Sequence, residues 1–279
     1  MKNILIIGLG HIGGSLALGL KKKFKNVFNF YGIDISPQTL TKSHKKIGFL
    51  KKCLFGNKEE KLIIESSDII FICVEPTSIE KIFTKISSYN VKKGVIVSDV
   101  ASTKKDILKS ARKIFKKKKI NFVGGHPIAG TEKNGFSSAT SDLFEDKIYI
   151  QSGEIATKKQ ISVINNLWRK LGSKVYTIDV KSHDKVFAYL SHLPHVLSFC
   201  LNSLALKKIG KKRIDNLGGS SYKDYSRISS SSSLLWSDIF LSNSSNLIAS
   251  LDESILFLEK LKLALKTNSR SKIANLLKP

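Results

Sequence analysis

The chain lacks any uninterrupted apolar stretch near the roughly 18 residues that a bilayer-spanning helix requires, which argues against a helical membrane protein. Cysteine is scarce: Cys53, Cys73 and Cys200 are odd in number, far apart, and in neither CxxC nor metal-ligand spacing. A disulfide framework is thereby excluded, and so is a cysteine-based metal centre; reduced thiols are expected. Arginine is also rare, with Arg112, Arg169, Arg213, Arg227 and Arg270 the only ones among 47 cationic residues. The formal net charge of +25 is therefore a lysine surplus. It is spread along the whole length, its runs fall at the ends of helical patterns where cations complement the helix dipole, and it is not interleaved with aromatics. This distribution differs from the concentrated basic footprint of nucleic-acid binding, so neither a nucleic-acid nor a membrane partner is expected. The surplus adds to the attraction of an anionic substrate. Met1-Lys2 runs straight into a strand-like segment without a signal-peptide pattern, and a cytoplasmic location is the expectation.

What is present is a chain of 279 residues, 42% hydrophobic, long enough for one large domain or two smaller ones. Asn3–Ile7 is a continuous apolar run, as a parallel strand buried on both faces requires. It leads into Gly8-Leu9-Gly10-His11-Ile12-Gly13, a GxGxxG turn between a strand and a helix reaching about Lys23. Gly8 makes the tight turn, Gly10 admits a pyrophosphate, Gly13 allows close helix packing, and the helix N-terminus, with His11 and Ile12, faces the phosphates. A second strand, Val27–Ile33, ends at Asp34, about 20 residues beyond the motif, where a carboxylate accepts hydrogen bonds from ribose hydroxyls. It would repel a 2′-phosphate, and Ile35-Ser36-Pro37 offers no arginine to receive one, so NAD is expected as the cofactor.

Alternation continues with a helix capped at Ser36-Pro37, a strand at Asp68–Val74, a helix at Thr77–Ser87 and a strand at Gly94–Val97, a pattern that implies a parallel sheet. Ser102 reads as the N-cap of a helix through Phe115 and also as a hydroxyl at the carboxyl end of a strand, near His126, two roles that can hold at once. The segment Phe122–Gly135 ends a strand in Gly124-Gly125 and places His126 where a strand gives way to a loop. The two glycines would let backbone pass close to a ligand. Ligands of open α/β sheets bind outside the carboxyl ends of strands, which makes His126 a candidate acid or base. Strands at Lys147–Gln151 and Lys174–Ile178 flank a helix at Thr157–Leu171.

Strand signals stop at Asp179, which divides the chain into an α/β Rossmann-like parallel-sheet domain (1–179) and an all-α domain (180–279). Three of six histidines, His183, His192 and His195, open the second part, but no third acidic ligand stands at a convincing position for a metal. Val196–Lys208 is apolar nearly all round and reads as a buried helix. Arg227 offers a planar fork for a carboxylate that lysine cannot supply. The serine run Ser229–Ser233 reads as a helix end and turn. The stripe Leu247, Ile248, Leu251, Ile255, Leu258 and Leu261 suits either a domain core or the interface of a homodimer.

Taken together, GLGHIGGS, Asp34, SDVASTK at Ser98–Lys104, GGHPIAGTEKNG at Gly124–Gly135, HDKVFAYLSHLPH at His183–His195 and YKDYSRISSSSSLLWSDI at Tyr222–Ile239 resemble the prephenate/arogenate dehydrogenase family, in order and over nearly the whole chain. The resemblance implies NAD-dependent oxidative decarboxylation of prephenate, or of arogenate, in tyrosine biosynthesis. It implies His126 as the group on the ring hydroxyl, Ser102 as its orienting partner, and Arg227 on a substrate carboxylate. It also sets His183, His192, His195, Glu132, Asp224 and Trp236 at or around the pocket, with His195 on the substrate side chain and His183, Asp224 and Trp236 as supports of helix packing. A nucleotide-sensing or nucleic-acid-binding module on a Rossmann scaffold is the reading from another class.

Overall fold

The computed structural model describes residues 1–130 and 134–278. Eight strands, β1 (Lys2–Ile7), β2 (Phe28–Asp34), β3 (Lys51–Leu54), β4 (Ile69–Ile72), β5 (Ile96–Asp99), β6 (Asn121–Ile128), β7 (Ile148–Ile155) and β8 (Lys174–Thr177), form one sheet in the order β3-β2-β1-β4-β5-β6-β7-β8. Between them lie α1 (His11–Phe24), α2 (Pro37–Ile47), α3 (Glu59–Ser66), α4 (Pro76–Ser88), α5 (Lys105–Phe115) and α6 (Lys158–Lys170). The remaining helices are α7 (Val180–Phe187), α8 (Leu193–Ile209), α9 (Lys211–Leu217), α10 (Ser220–Ser229), α11 (Ser233–Ser242), α12 (Ser244–Lys266) and α13 (Arg270–Leu276). The fold is thus a Rossmann-like α/β sheet followed by helices.

Side chains alternate across a strand, and here both alternating sets are apolar. Ile4, Ile6 and Phe71 face the cluster of α1, α2 and α6 around Leu16, Leu20 and Trp168, whereas Leu5, Ile7, Ile70 and Ile72 face that of α3, α4 and α5 around Phe83 and Phe115. Local signals set the helix ends. The Ser36 side chain accepts from Thr39 N at 3.2 Å and Gly48, in the left-handed region at φ 65°, closes α2. Thr157 and Gln160 form a reciprocal capping box at the start of α6.

Two differences from the expected sheet have physical causes. The β6–β7 connection contains no α-helix among its described residues, only a 3-10 turn at Phe136–Ser138, and β7 returns antiparallel to β6, whereas a crossover to a parallel strand usually runs through an α-helix. The short edge strand β3 and helix α3 were not expected; β3 has just one buried residue, Cys53, and so little apolar pattern to reveal it.

By its contacts the chain forms two compact units, Met1–Asp184 with Ser230–Ser242, and Lys185–Ser229 with Asn243–Pro279. A single cut after residue 179 falls just before α7. The first unit runs on to Asp184 and also takes in α11, which packs on α4 and bonds through Asp238 Oδ2 to Thr77 Oγ1 at 3.2 Å. In the second unit a π-helical turn at Ala188–His192 precedes α8, whose first turn holds Pro194, a residue that lacks an N–H and would clash with the carbonyl four residues back in a regular helix. Helix α8 is not buried as expected: Leu197, Leu201, Leu204 and Leu206 are all exposed, as are Ile248, Ile255 and Leu258 on α12. Among the described residues no helix is long and apolar enough to cross a membrane.

Phe83 is fully buried, with the rings of Phe115 and Phe122 at 4.6 and 5.4 Å. Phe83→Ala is expected to cost about 3–5 kcal/mol in the urea unfolding of the sheet unit. A cost below about 1 kcal/mol would show that this face of the sheet does not depend on it.

Candidate active site

The first half of the site lies where the strand order reverses, between β1 and β4, the position at which open α/β sheets bind ligands. Gly8 adopts φ 86°, and a side chain there would collide with the Cys73 carbonyl; one at Gly13 would collide with the Gly8 carbonyl. Gly10 differs, since a Cβ there would meet nothing within 4 Å, and it faces open space at the start of α1. Cys73 beneath the turn is a packing group, its thiol pushed up by burial. Asp34 closes the turn, with Oδ2 accepting Leu9 N at 2.7 Å and Oδ1 accepting Ser36 N at 2.8 Å. A carboxylate has about four acceptor positions, so Asp34 can also receive ribose hydroxyls. The open glycine, the helix N-terminus and the strand-end carboxylate fit a dinucleotide with a free 2′-hydroxyl.

The second half begins at the end of β5. Asp99, fully buried, pairs with Lys104 Nζ through Oδ2, accepts Ala101 N on the same oxygen at 3.0 Å, and accepts Gly125 N on Oδ1 at 3.1 Å. Lys104 Nζ also donates to the Gly125 carbonyl at 2.7 Å. Burial pulls the Lys104 ammonium below its ordinary value and the Asp99 carboxylate opposes that pull. One residue on, His126 Nδ1 lies 3.0 Å from His183 Nε2, and His183 Nδ1 lies 2.8 Å from Asp184 Oδ1. Asp184 also accepts Lys104 N at 2.8 Å and Lys105 N at 2.9 Å. Burial alone would raise the Asp184 carboxyl, but the bonds from His183, Lys105 N and Lys104 N together hold it below its usual range. Burial lowers His183, outweighing the Asp184 bond.

These directions fix the protons. An ionised Asp184 accepts the Nδ1 proton of a neutral His183, whose Nε2 can then only accept, so His126 must donate from Nδ1. A neutral His126 then carries its lone pair on Nε2, the atom a base would use.

In the second unit His195 Nδ1 donates to the Ser191 carbonyl at 2.8 Å, which leaves its lone pair on Nε2. Burial lowers His195; the Ser191 carbonyl opposes this, and the charge of Arg227 adds to it. His192 Nδ1 accepts from Asn243 Nδ2 at 3.0 Å, so its proton sits on Nε2. Arg227, on α10, is exposed, and α10 packs on α8 with Tyr222 Oη donating to Asn202 Oδ1 at 2.9 Å.

The structure thus groups Gly8, Gly10, His11, Ile12, Gly13 and Asp34 at one turn, and Arg227 near His195. Glu132 lies outside the described residues. Ser102 is not the cap of α5: that helix begins at Lys105, and its first free N–H groups are taken by Asp184, 80 and 79 residues away. The Gly124-Gly125 pair also has a different reason. Side chains there would collide with the Ser152 carbonyl and the Tyr149 ring on β7, so strand packing by itself requires glycine at both positions. Sequence reasoning passed over Asp99 and Lys104 and gave His183 a minor place. The available signal was two charged residues in SDVASTK directly beyond an apolar strand.

Comparison with known proteins bears on the family. The family model described as prephenate dehydrogenase, nucleotide-binding domain, matches residues 16–177, and that described as prephenate dehydrogenase, dimerization domain, matches 179–279. A prephenate dehydrogenase of Lactococcus lactis is 33% identical over 87% of this chain, which spans 65% of that relative's length. A cyclohexadienyl dehydrogenase of Zymomonas mobilis is 30% identical over 95% of this chain and 88% of its own. The crystal structure of prephenate dehydrogenase from A. aeolicus, in complex with hydroxyphenyl propionate and NAD+, is 28% identical with a TM-score of 0.88, covering 99% of this chain and 95% of that one. With family models covering both its sheet unit and its helices, this chain belongs to the prephenate dehydrogenase family.

Proposed function

We propose that the protein catalyses the NAD-dependent oxidative decarboxylation of prephenate to 4-hydroxyphenylpyruvate, a step of tyrosine biosynthesis. The observation that carries this reading is the hydrogen-bonded chain Asp184–His183–His126, in a sheet with a dinucleotide turn. When bound, NAD accepts a hydride from ring C4. His126 Nε2 takes the proton of the C4 hydroxyl as that hydride leaves, and the ketone so formed loses CO2 from C1. The electron pair of the broken C–C bond aromatises the ring and passes to the oxygen, which takes back a proton. Aromatisation drives the reaction, so the protein has to orient and to move one proton, work for which general bases contribute about 10²–10⁴-fold. Ser102, part-buried beyond β5, orients the histidine or the hydroxyl, Arg227 binds a substrate carboxylate, and His195 and His192 serve the substrate side chain.

A second reading is the same chemistry on arogenate. A neutral His195 with its lone pair on Nε2 suits the ammonium that arogenate carries where prephenate has a keto group, and a relative named for the cyclohexadienyl ring class points the same way. The exposed leucines and isoleucines of α8 and α12, in a region matching a dimerization domain, support a homodimer.

NADH formation with prephenate and with arogenate, run in parallel, tests the activity: turnover of prephenate is expected, preference for arogenate would select the second reading, and turnover of neither would reject both. His126→Asn should lower kcat by about 10²–10⁴-fold with NADH affinity by fluorescence unchanged, whereas Arg227→Ala should raise KM for prephenate about 10- to 100-fold. Near-normal kcat in the first variant, or an unchanged KM in the second, removes that residue from its role. Sedimentation velocity should give twice the chain mass of 31.0 kDa; a monomer at micromolar concentration rejects the homodimer.

A further inference from the structure

We infer that Lys104 is a positioning residue that holds His126 from two directions, its side chain fixing the histidine's backbone and its own backbone fixing the histidine's ring. The inference rests on the role of His126 proposed above. The pairing of β5 with β6 ends at Ser98 opposite Val123, because β5 stops at Asp99. The next residue of β6 facing that edge is Gly125, and with no strand opposite, its N–H and carbonyl would be left unpaired inside the protein. The ion pair stands in for the missing strand. Asp99 Oδ1 takes the Gly125 N–H at 3.1 Å and Lys104 Nζ takes the Gly125 carbonyl at 2.7 Å, while Lys104 and Asp99 bind each other. That carbonyl belongs to the peptide leading into His126, so the lysine sets the plane from which the imidazole springs.

The same residue reaches the ring by a second route. Lys104 N donates to Asp184 Oδ1, which accepts the Nδ1 proton of His183, whose Nε2 accepts the Nδ1 proton of His126. Loss of the lysine side chain releases the Gly125–His126 peptide and leaves the Asp99 charge buried beside it. A pair kept only for packing would behave differently, since buried ion pairs can often be replaced by apolar or neutral groups without loss of stability.

The test compares Lys104→Met with the double variant Asp99→Asn/Lys104→Met in the full chain, reading thermal midpoint, NADH affinity, kcat, KM and the imidazole nitrogen-15 signals of the unliganded protein, with His126 assigned through His126→Asn. Lys104→Met is expected to lower kcat about 10- to 100-fold, the scale of a small misplacement of a reacting group, with KM and NADH affinity within about twofold. The double variant, free of the uncompensated charge, should regain most of the thermal midpoint without regaining kcat. Both variants keep the backbone N–H that Asp184 accepts, but with its peptide released the His126 ring should drift from His183 Nε2, so its signals should change from one Nδ1-protonated form to a mixture of tautomers in both. Recovery of kcat together with the midpoint, or an unchanged His126 tautomer, would overturn the inference. If wild-type protein turns over neither prephenate nor arogenate, the functional reading fails, and the tautomer signals still decide whether Lys104 holds the ring. Should Lys104→Met alone not fold, the double variant carries both readouts.

Discussion

A sheet covered on both faces has no place for a charge along its strands, because each interior position is pressed between two layers of apolar side chains. In this chain Ile4 and Ile6 look one way and Leu5 and Ile7 the other, all essentially without solvent contact. Polar groups are thereby driven to the strand ends. Gly8 and Asp34 stand just beyond β1 and at the end of β2, Asp99 at the end of β5, and His126 near the end of β6. The concentration of chemistry at one edge follows from the burial of everything else.

Strands that end at different heights create the second requirement. Because β5 stops before β6 does, a peptide of β6 is left without its ladder neighbour, and buried backbone groups must be paired. The Asp99–Lys104 pair meets that need with side chains, and in doing so introduces two charges into the interior beside His126. Asp184, anchored by the N-terminus of α5, then sets the His183 tautomer and through it the His126 tautomer. A single electrostatic logic runs from helix end to carboxylate to imidazole to imidazole. Each member is held by hydrogen bonds whose direction follows from the one before.

The helical unit is governed by the opposite balance. Its helices carry more apolar surface than they cover, with Leu201, Leu204, Leu217 and Ile248 each about half exposed or more. Such surface is consistent with the dimerization-domain match and a second copy of the chain. Among these helices Arg227 and His195 form the second cluster of functional groups, with the guanidinium charge helping to keep the imidazole neutral.

Local pattern and local chemistry made part of this protein legible before folding. Apolar runs marked β1, β2, β4 and β5, Ser36 and Thr157 marked helix starts, and GxGxxG with Asp34 marked the dinucleotide turn, since each depends on residues within a few positions of one another or on a repeat in the chain. Whatever depends on distant partners became visible only in the folded chain. Strand direction is not written in periodicity, so β7 gave no sign of running antiparallel. The reason for Gly124-Gly125 lay in Ser152 and Tyr149, the cap of α5 lay 80 residues away in Asp184, and the partner of His126 lay 57 residues away in His183. A hydrogen bond has a range of about 3 Å in space and no preferred separation along the chain, so a sequence that supplies the donors and acceptors leaves their pairing to the fold.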